Sequence, residues 1–151
     1  MSCIAIMNKA PVTIQEHESV AAAAAKLLSN HFISLPVVDA QDRYVGTFGL
    51  HDLLSLLVPR VALAGDLISN LRFIADDPEE LRSRYRDVRN QRVDEVVNRN
   101  APTLDPDSSE VEAIRLFCRN HMSLPVVSKD SGHVMGVVSC WDAMRAIVGA
   151  G

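Results

Sequence analysis

The pentapeptide Ser-Leu-Pro-Val-Val occurs twice in this chain, at Ser34 to Val38 and at Ser123 to Val127, 89 positions apart. Its surroundings recur with it. An Ala-rich or apolar helical stretch precedes each copy, Ser19 to Asn30 and Ser108 to Asn120. A second apolar run comes after it, with a glycine and then an aspartate six positions on: Gly46 with Asp52, and Gly136 with Asp142. These two pairs lie 90 positions apart, so the second copy has gained one residue in its intervening turn. The same order of elements around both peptides constrains the fold to one unit written twice.

A unit of about 60 residues buries too little apolar surface to be comfortable alone. Two such units packed together make one domain's worth of core from 151 residues. Aromatic residues are only 5% of the chain against 48% hydrophobic, so that core is built from Val, Leu, Ile and Ala. A net charge of −4 and a pI near 5.7 argue against a general nucleic-acid binder. Three cysteines without a CxxC spacing (Cys3, Cys118 and Cys140) predict reduced thiols and a cytoplasmic setting. No apolar run approaches the roughly 18–20 residues of a membrane span, and no basic start leads into a signal-peptide core. No membrane partner is expected.

The first repeat, 1–57, opens with the apolar stretch Ile4 to Met7 and a turn at Ala10-Pro11. Val12 to Ile14 suits a short strand. Ser19 is placed to cap a helix from Val20 to about Ser29, in which Ala21 to Ala25 favour close packing. Ser34 to Val38 reads as a buried strand, and Tyr44 to Phe48 as its antiparallel partner across a polar turn. Leu50 to Leu57 reads as a helix stopped near Pro59.

Residues 58–92 have no counterpart in the repeats and form a helical connector. Val61, Leu63, Leu67, Ile68, Leu71 and Phe73 are too apolar to leave in water. Asp77, Pro78, Glu79 and Glu80 make a helix start, with Arg82, Arg84, Arg86, Arg89 and Arg92 toward its far end. Glu80 and Arg84 are spaced as an (i, i+4) pair, and a solvated helix accounts for the arginines better than an anion-binding patch. The second repeat, 93–151, runs through a lead-in at Val93 to Asn98 and a strand at Ala101 to Leu104. A helix capped by Asp107, Ser108 or Ser109 extends to about Asn120. The hairpin strands Ser123 to Val127 and His133 to Val138, a closing helix Ser139 to Val148 and a frayed end at Gly149 to Gly151 complete it.

Gly136 to Asp142 is the stretch most informative for chemistry, because a strand there hands over to a helix. Helix N-termini favour anions, Ser139 is a hydroxyl donor, and Asp142 has two acceptor oxygens suited to a vicinal diol. Ser-x-x-Asp is equally a capping-box start in which both groups serve the helix itself. The five histidines (His17, His31, His51, His121, His133) lack metal-site spacing. His51 precedes Asp52 and is within sequence reach of an anion there, although a solvated or packed role is the simpler one. Cys140 has no catalytic partner and reads as an inert core thiol, and Trp141 as packing at a module edge or dimer contact.

With both halves placed, the chain resembles a tandem pair of cystathionine-β-synthase-type (CBS) domains, the Bateman module. The resemblance covers roughly residues 1–57 and 93–149. It rests on the repeated element order, the two Leu-Pro-Val-Val copies and the Gly-x-x-Ser/Thr-x-x-Asp signature at Gly136, Ser139 and Asp142. It implies an α+β fold of two β-α-β-β-α repeats packed as a pseudo-twofold disc, with two clefts that commonly hold AMP, ADP, ATP or S-adenosylmethionine. Carried over, Asp142 takes ribose hydroxyls and Ser139 helps hold phosphate, with Ile33 and Ser34 completing the cleft and Asn8 and Thr13 as weaker candidates. The mirror cleft uses Asp52 with Met122 and Ser123, but Gly49 there replaces the hydroxyl residue and leaves only backbone amides. Ser34 and Ser123 stand where charged nucleotide sites often carry Arg or Lys, which implies a ligand of low charge.

The expected function is therefore a non-catalytic, ligand-sensing module, with a scaffold of unoccupied clefts as the alternative. No cofactor is required; the expected partners are a second copy, an adenosine ligand and a target protein. An N-terminal Met and no further domain make a stand-alone regulator the simplest reading, with a piece of a larger transporter or enzyme as the other.

Overall fold

The computed structural model describes residues 2–58 and 77–149. In chain order they form β1 (Ile14–Gln15), α1 (Val20–Asn30), β2 (Ser34–Val38), β3 (Tyr44–Gly49), α2 (Leu50–Leu57), α3 (Pro78–Val88), α4 (Glu110–Phe117), β4 (Leu124–Val127), β5 (Val134–Val138) and α5 (Cys140–Gly149). Short 3₁₀ turns at Cys3–Ala5 and Val93–Glu95 open the two repeats. The fold is α+β, a helix–hairpin–helix unit made twice.

Local chemistry sets these boundaries. Ser19 Oγ accepts the Ala22 N–H at 3.1 Å and starts α1; Ser109 Oγ does the same for Glu112 and starts α4. Val20, Ala23, Ala24 and Leu27 recur at helical spacing and are the buried face of α1. Two alanines in that face let the helix lie close against Ile14, Leu35, Val37 and Phe48. All five residues of β2 are buried. It pairs antiparallel with β3 and parallel with β1, while β4 and β5 form the matching antiparallel hairpin. Both hairpins shift register at the same place, between Val37 and Val38 and between Val126 and Val127.

The opening turns are exchanged between the repeats. Val93 is fully buried in the core of β1, α1, β2 and β3, with Val96 and Val97 packed against it. Cys3 is fully buried in the other core with Leu104, Ala113, Leu124, Val126 and Val138, backed by Ile6 and Met7. Past each turn the chain joins the opposite sheet edge. Asn8 and Val137 exchange N–H···O bonds of 2.8 and 3.1 Å, and Asn98 and Thr47 exchange two of 3.0 Å. Contacts between equivalent residues mark the pseudo-twofold axis relating the repeats: Ser123 N–H donates to Ser34 Oγ at 2.9 Å, and Arg43 bridges to His133.

Several expected boundaries move. The first strand is Ile14–Gln15 rather than Val12 to Ile14. In the second repeat its counterpart shrinks to a single parallel bridge between Leu104 and Val126. The cause is Pro106: the Glu16 N–H donates to Val38 O at 2.8 Å in the first repeat, and the proline at the equivalent position has no N–H to give. Helix α4 stops at Phe117, where the Asn120 side chain turns back to the Leu116 carbonyl at 3.0 Å. Gly149 is the last residue of α5 rather than frayed.

Asp77 caps α3 through the Glu79 N–H at 3.0 Å. Arg84 reaches Glu80 at 3.1 Å and Arg86 reaches Glu79 at 2.8 Å, so these arginines serve the helix surface. The expected connector apolar run from Val61 to Phe73 lies outside the described residues. Among the described residues no helix is long and apolar enough to cross a membrane.

The crossing needs glycine beneath it. A Cβ on Gly46 falls 2.6 Å from the Asn98 carbonyl oxygen, and one on Gly136 falls 2.7 Å from that of Asn8. Backbone cannot yield as a side-chain tip can. Gly46→Ala and Gly136→Ala are each expected to lower stability by about 1–3 kcal/mol, read as a fall in urea midpoint; unchanged midpoints would show that the crossing has slack.

Candidate functional site

Asp142 stands one turn into α5. Its Oδ2 accepts the Ser139 backbone N–H at 2.8 Å and the Ser139 hydroxyl at 2.9 Å, and Ser139 Oγ accepts the Asp142 N–H at 3.2 Å. This reciprocal capping fixes both side chains at the helix start. The second oxygen, Oδ1, takes a 2.6 Å bond from Arg145 Nη2.

That helix start opens on a cavity of about 160 Å³ between the repeats. Its polar lining is Asn8, Ser34, Ser123, Ser139 and Asp142; its apolar walls are Pro11, Val12, Phe32, Pro36 and Val137. The exchanged segment delivers Asn8, Pro11 and Val12 across the axis to α5. Ser34 is buried, and while its oxygen accepts from Ser123 N–H its own O–H can donate. Apolar walls with a carboxylate and hydroxyls among them suit a flat ring carrying a polar, diol-bearing group.

A second cavity, of about 450 Å³, adjoins the first through Phe32, Ser123 and Ser139. Ile33 and Met122 lie on it, with His31 and His121 from the ends of the two matching helical stretches and Cys140 and Trp141 from α5. The sequence offered one clue to these histidines: each comes directly after an asparagine at equivalent positions, Asn30-His31 and Asn120-His121. His31 holds a left-handed conformation, φ 53°, that closes α1.

Of the expected site residues, Asp142, Ser139, Ser34, Ser123 and Asn8 therefore meet in the smaller cavity, and Ile33 and Met122 in the larger. Thr13 lines neither; its carbonyl accepts from Lys26 Nζ at 2.8 Å. Gly136 also lines neither and lies under the exchanged segment. Cys140 is corrected from a core thiol to an exposed one, because the inward face of α5 is at Ala143; the buried thiol is Cys3. Trp141 is 73% exposed. Among the described residues no three His, Cys, Asp or Glu side chains are grouped to hold a metal ion.

Asp52, the counterpart of Asp142, lines neither cavity. Its Oδ2 accepts the Gly49 N–H at 2.8 Å. Burial pushes its carboxyl above the usual aspartate range, and the Gly49 bond and the nearby His51 offset this only in part.

Two such repeats, facing across an axis with a Ser/Asp helix start at an inter-repeat cavity, define a tandem-repeat module of known type. The CBS domain profile matches residues 3–59 and 93–149, and the chain belongs to that family. CBSX2 of Arabidopsis thaliana, a CBS-pair protein, superposes with TM-score 0.76 at 20% identity, covering 99% of this chain and 95% of that one. The structure of CBSX2 in complex with AMP gives TM-score 0.71, 20% identity and 99% and 97% coverage. A CBS domain pair in complex with 5′-methylthioadenosine and S-adenosyl-L-methionine gives 0.68, 22% identity and 100% and 98% coverage. In sequence, the chain is 28% identical over 142 residues to an A-adding tRNA nucleotidyltransferase of Aquifex aeolicus. That match covers 94% of this chain but only 14% of the much longer relative.

A carboxyl raised by burial binds its proton more tightly folded than unfolded, so its contribution to stability declines as pH rises through the acid range. Asp52→Asn keeps an acceptor for Gly49 and removes the charge. The variant's melting temperature relative to wild type should therefore climb between about pH 3 and pH 6, a window spanning the usual aspartate value of about 3.9. A difference constant with pH would remove the burial explanation.

Proposed function

We propose that this chain is a non-catalytic regulatory module that binds an adenosine compound (AMP, ATP or S-adenosylmethionine) between its repeats. The observation that carries this reading is the inter-repeat cavity lined by Asp142, Ser139, Ser34 and Ser123 together with apolar walls. Asp142 takes the ribose hydroxyls, Ser139 the 5′ side, and Phe32, Pro36 and Val137 cover the base. The complexes of related folds with AMP and with 5′-methylthioadenosine and S-adenosyl-L-methionine support that class of ligand. Binding favours one relative angle of the repeats, and a target protein reads that angle.

Calorimetric titration with AMP, ATP and S-adenosylmethionine tests the reading. Saturable binding that weakens at least about tenfold in Asp142→Ala is expected, the scale of a lost charge-assisted pair of bonds. Ligand-free protein that takes up none of the three leaves the scaffold reading in its place.

The module is further proposed to work as a homodimer. Trp141, Met144, Ile147 and Val148 are 73%, 53%, 52% and 68% exposed along one helix, α5. A contiguous apolar face of this kind is costly to leave in water. Sedimentation of Met144→Glu/Ile147→Glu should show a monomer where wild type shows a dimer; a wild-type monomer would end this part of the proposal.

A further inference from the structure

We infer that Arg145 selects among adenosine compounds at the Asp142 cleft, favouring an anionic 5′ substituent over a neutral or cationic one. This selection rests on the proposed role of Asp142 as ribose ligand and adds to it a residue that reads the other end of the ligand.

The two oxygens of Asp142 are committed differently. Oδ2 already takes the N–H and the hydroxyl of Ser139 and holds the start of α5. A vicinal diol brings two O–H donors, so it must draw on Oδ1, which Arg145 occupies at 2.6 Å. The Asp142 side chain is 17% exposed and that of Arg145 72%, so the carboxylate is the fixed partner and the guanidinium the one that can swing. Ribose binding therefore loosens a guanidinium that is separated from the Ser139 hydroxyl only by the carboxylate both of them contact.

The new partner of that guanidinium depends on the ligand. A phosphate beside Ser139 offers it a planar, two-pronged anionic contact in place of the one it gave up. Adenosine and methylthioadenosine offer none. S-adenosylmethionine instead puts a sulfonium cation directly on the 5′ carbon, with its ammonium and carboxylate together at the end of a three-carbon arm beyond it. The first repeat has Ser55 at the matching position, bonded through its hydroxyl to the His51 carbonyl at 2.8 Å, and so places no cation there.

The test is calorimetric titration of the whole chain as wild type, Arg145→Gln and Arg145→Lys with AMP, adenosine and S-adenosylmethionine, with thermal melts to show that each variant is folded. Arg145→Gln should weaken AMP about two- to fivefold, leave adenosine equal or tighter, and tighten S-adenosylmethionine. Arg145→Lys should restore part of the AMP preference. A common shift for all three ligands, or no shift, overturns the inference while leaving the cleft assignment intact. Wild-type protein that binds none of them overturns the cleft assignment, and the inference with it.

Discussion

Two short backbone crossings hold this molecule in its shape. Each repeat sends its opening turn across the pseudo-twofold axis, fills the other repeat's core with Cys3 or Val93, and adds to the other repeat's sheet edge through Asn8 or Asn98. Gly46 and Gly136 exist as glycines because a chain passes directly over them. The cleft depends on the same crossing, since it brings Asn8, Pro11 and Val12 of one repeat up to Ser139 and Asp142 of the other. Cleft geometry and core integrity are thus one property rather than two.

The pseudosymmetry of the backbone does not extend to its charges. Asp142 and Asp52 occupy matching positions and both cap a helix, yet one is neutralised by Arg145 and the other is half-buried with only a backbone amide bonded to it. A carboxylate held partly out of water with no cation bonded to it costs free energy, and its raised proton affinity is the sign of that cost. The two helix starts therefore differ in charge although their backbones match.

The elements that local chemistry determines could be read from the sequence. The repeated pentapeptide placed β2 at Ser34–Val38, the apolar run before Pro59 placed α2 at Leu50–Leu57, and Asp77-Pro78 placed the start of α3. Asp142 and Ser139 were legible as a pair because a single helix start holds both. What escaped were relations between distant residues. Nothing near Cys3 says that it belongs beside Val138, and nothing near His31 says that it shares a cavity with His121. The lost strand at Leu104 was open to reading, since Pro106 cannot donate, but only once Glu16 was seen to donate at the matching place. Cys140 was misplaced because helix phase, which turns Ala143 inward, is not settled by a ten-residue amphipathic pattern.

The buried position of Cys3 bears on how the chain is made. On a ribosome adding about 5–20 residues each second, the Cys3–Ala5 turn leaves the tunnel on the order of ten seconds before Val126 and Val138, the strand residues it packs against. The first core is no more independent, because Val93 must arrive before it can close. Native contacts of such long sequence separation form slowly. Synthesis proceeds from front to back, but assembly cannot: the opening turn of the first repeat is seated only when the hairpin of the second emerges, so residues made well ahead of the rest of this module are among its last to find their place.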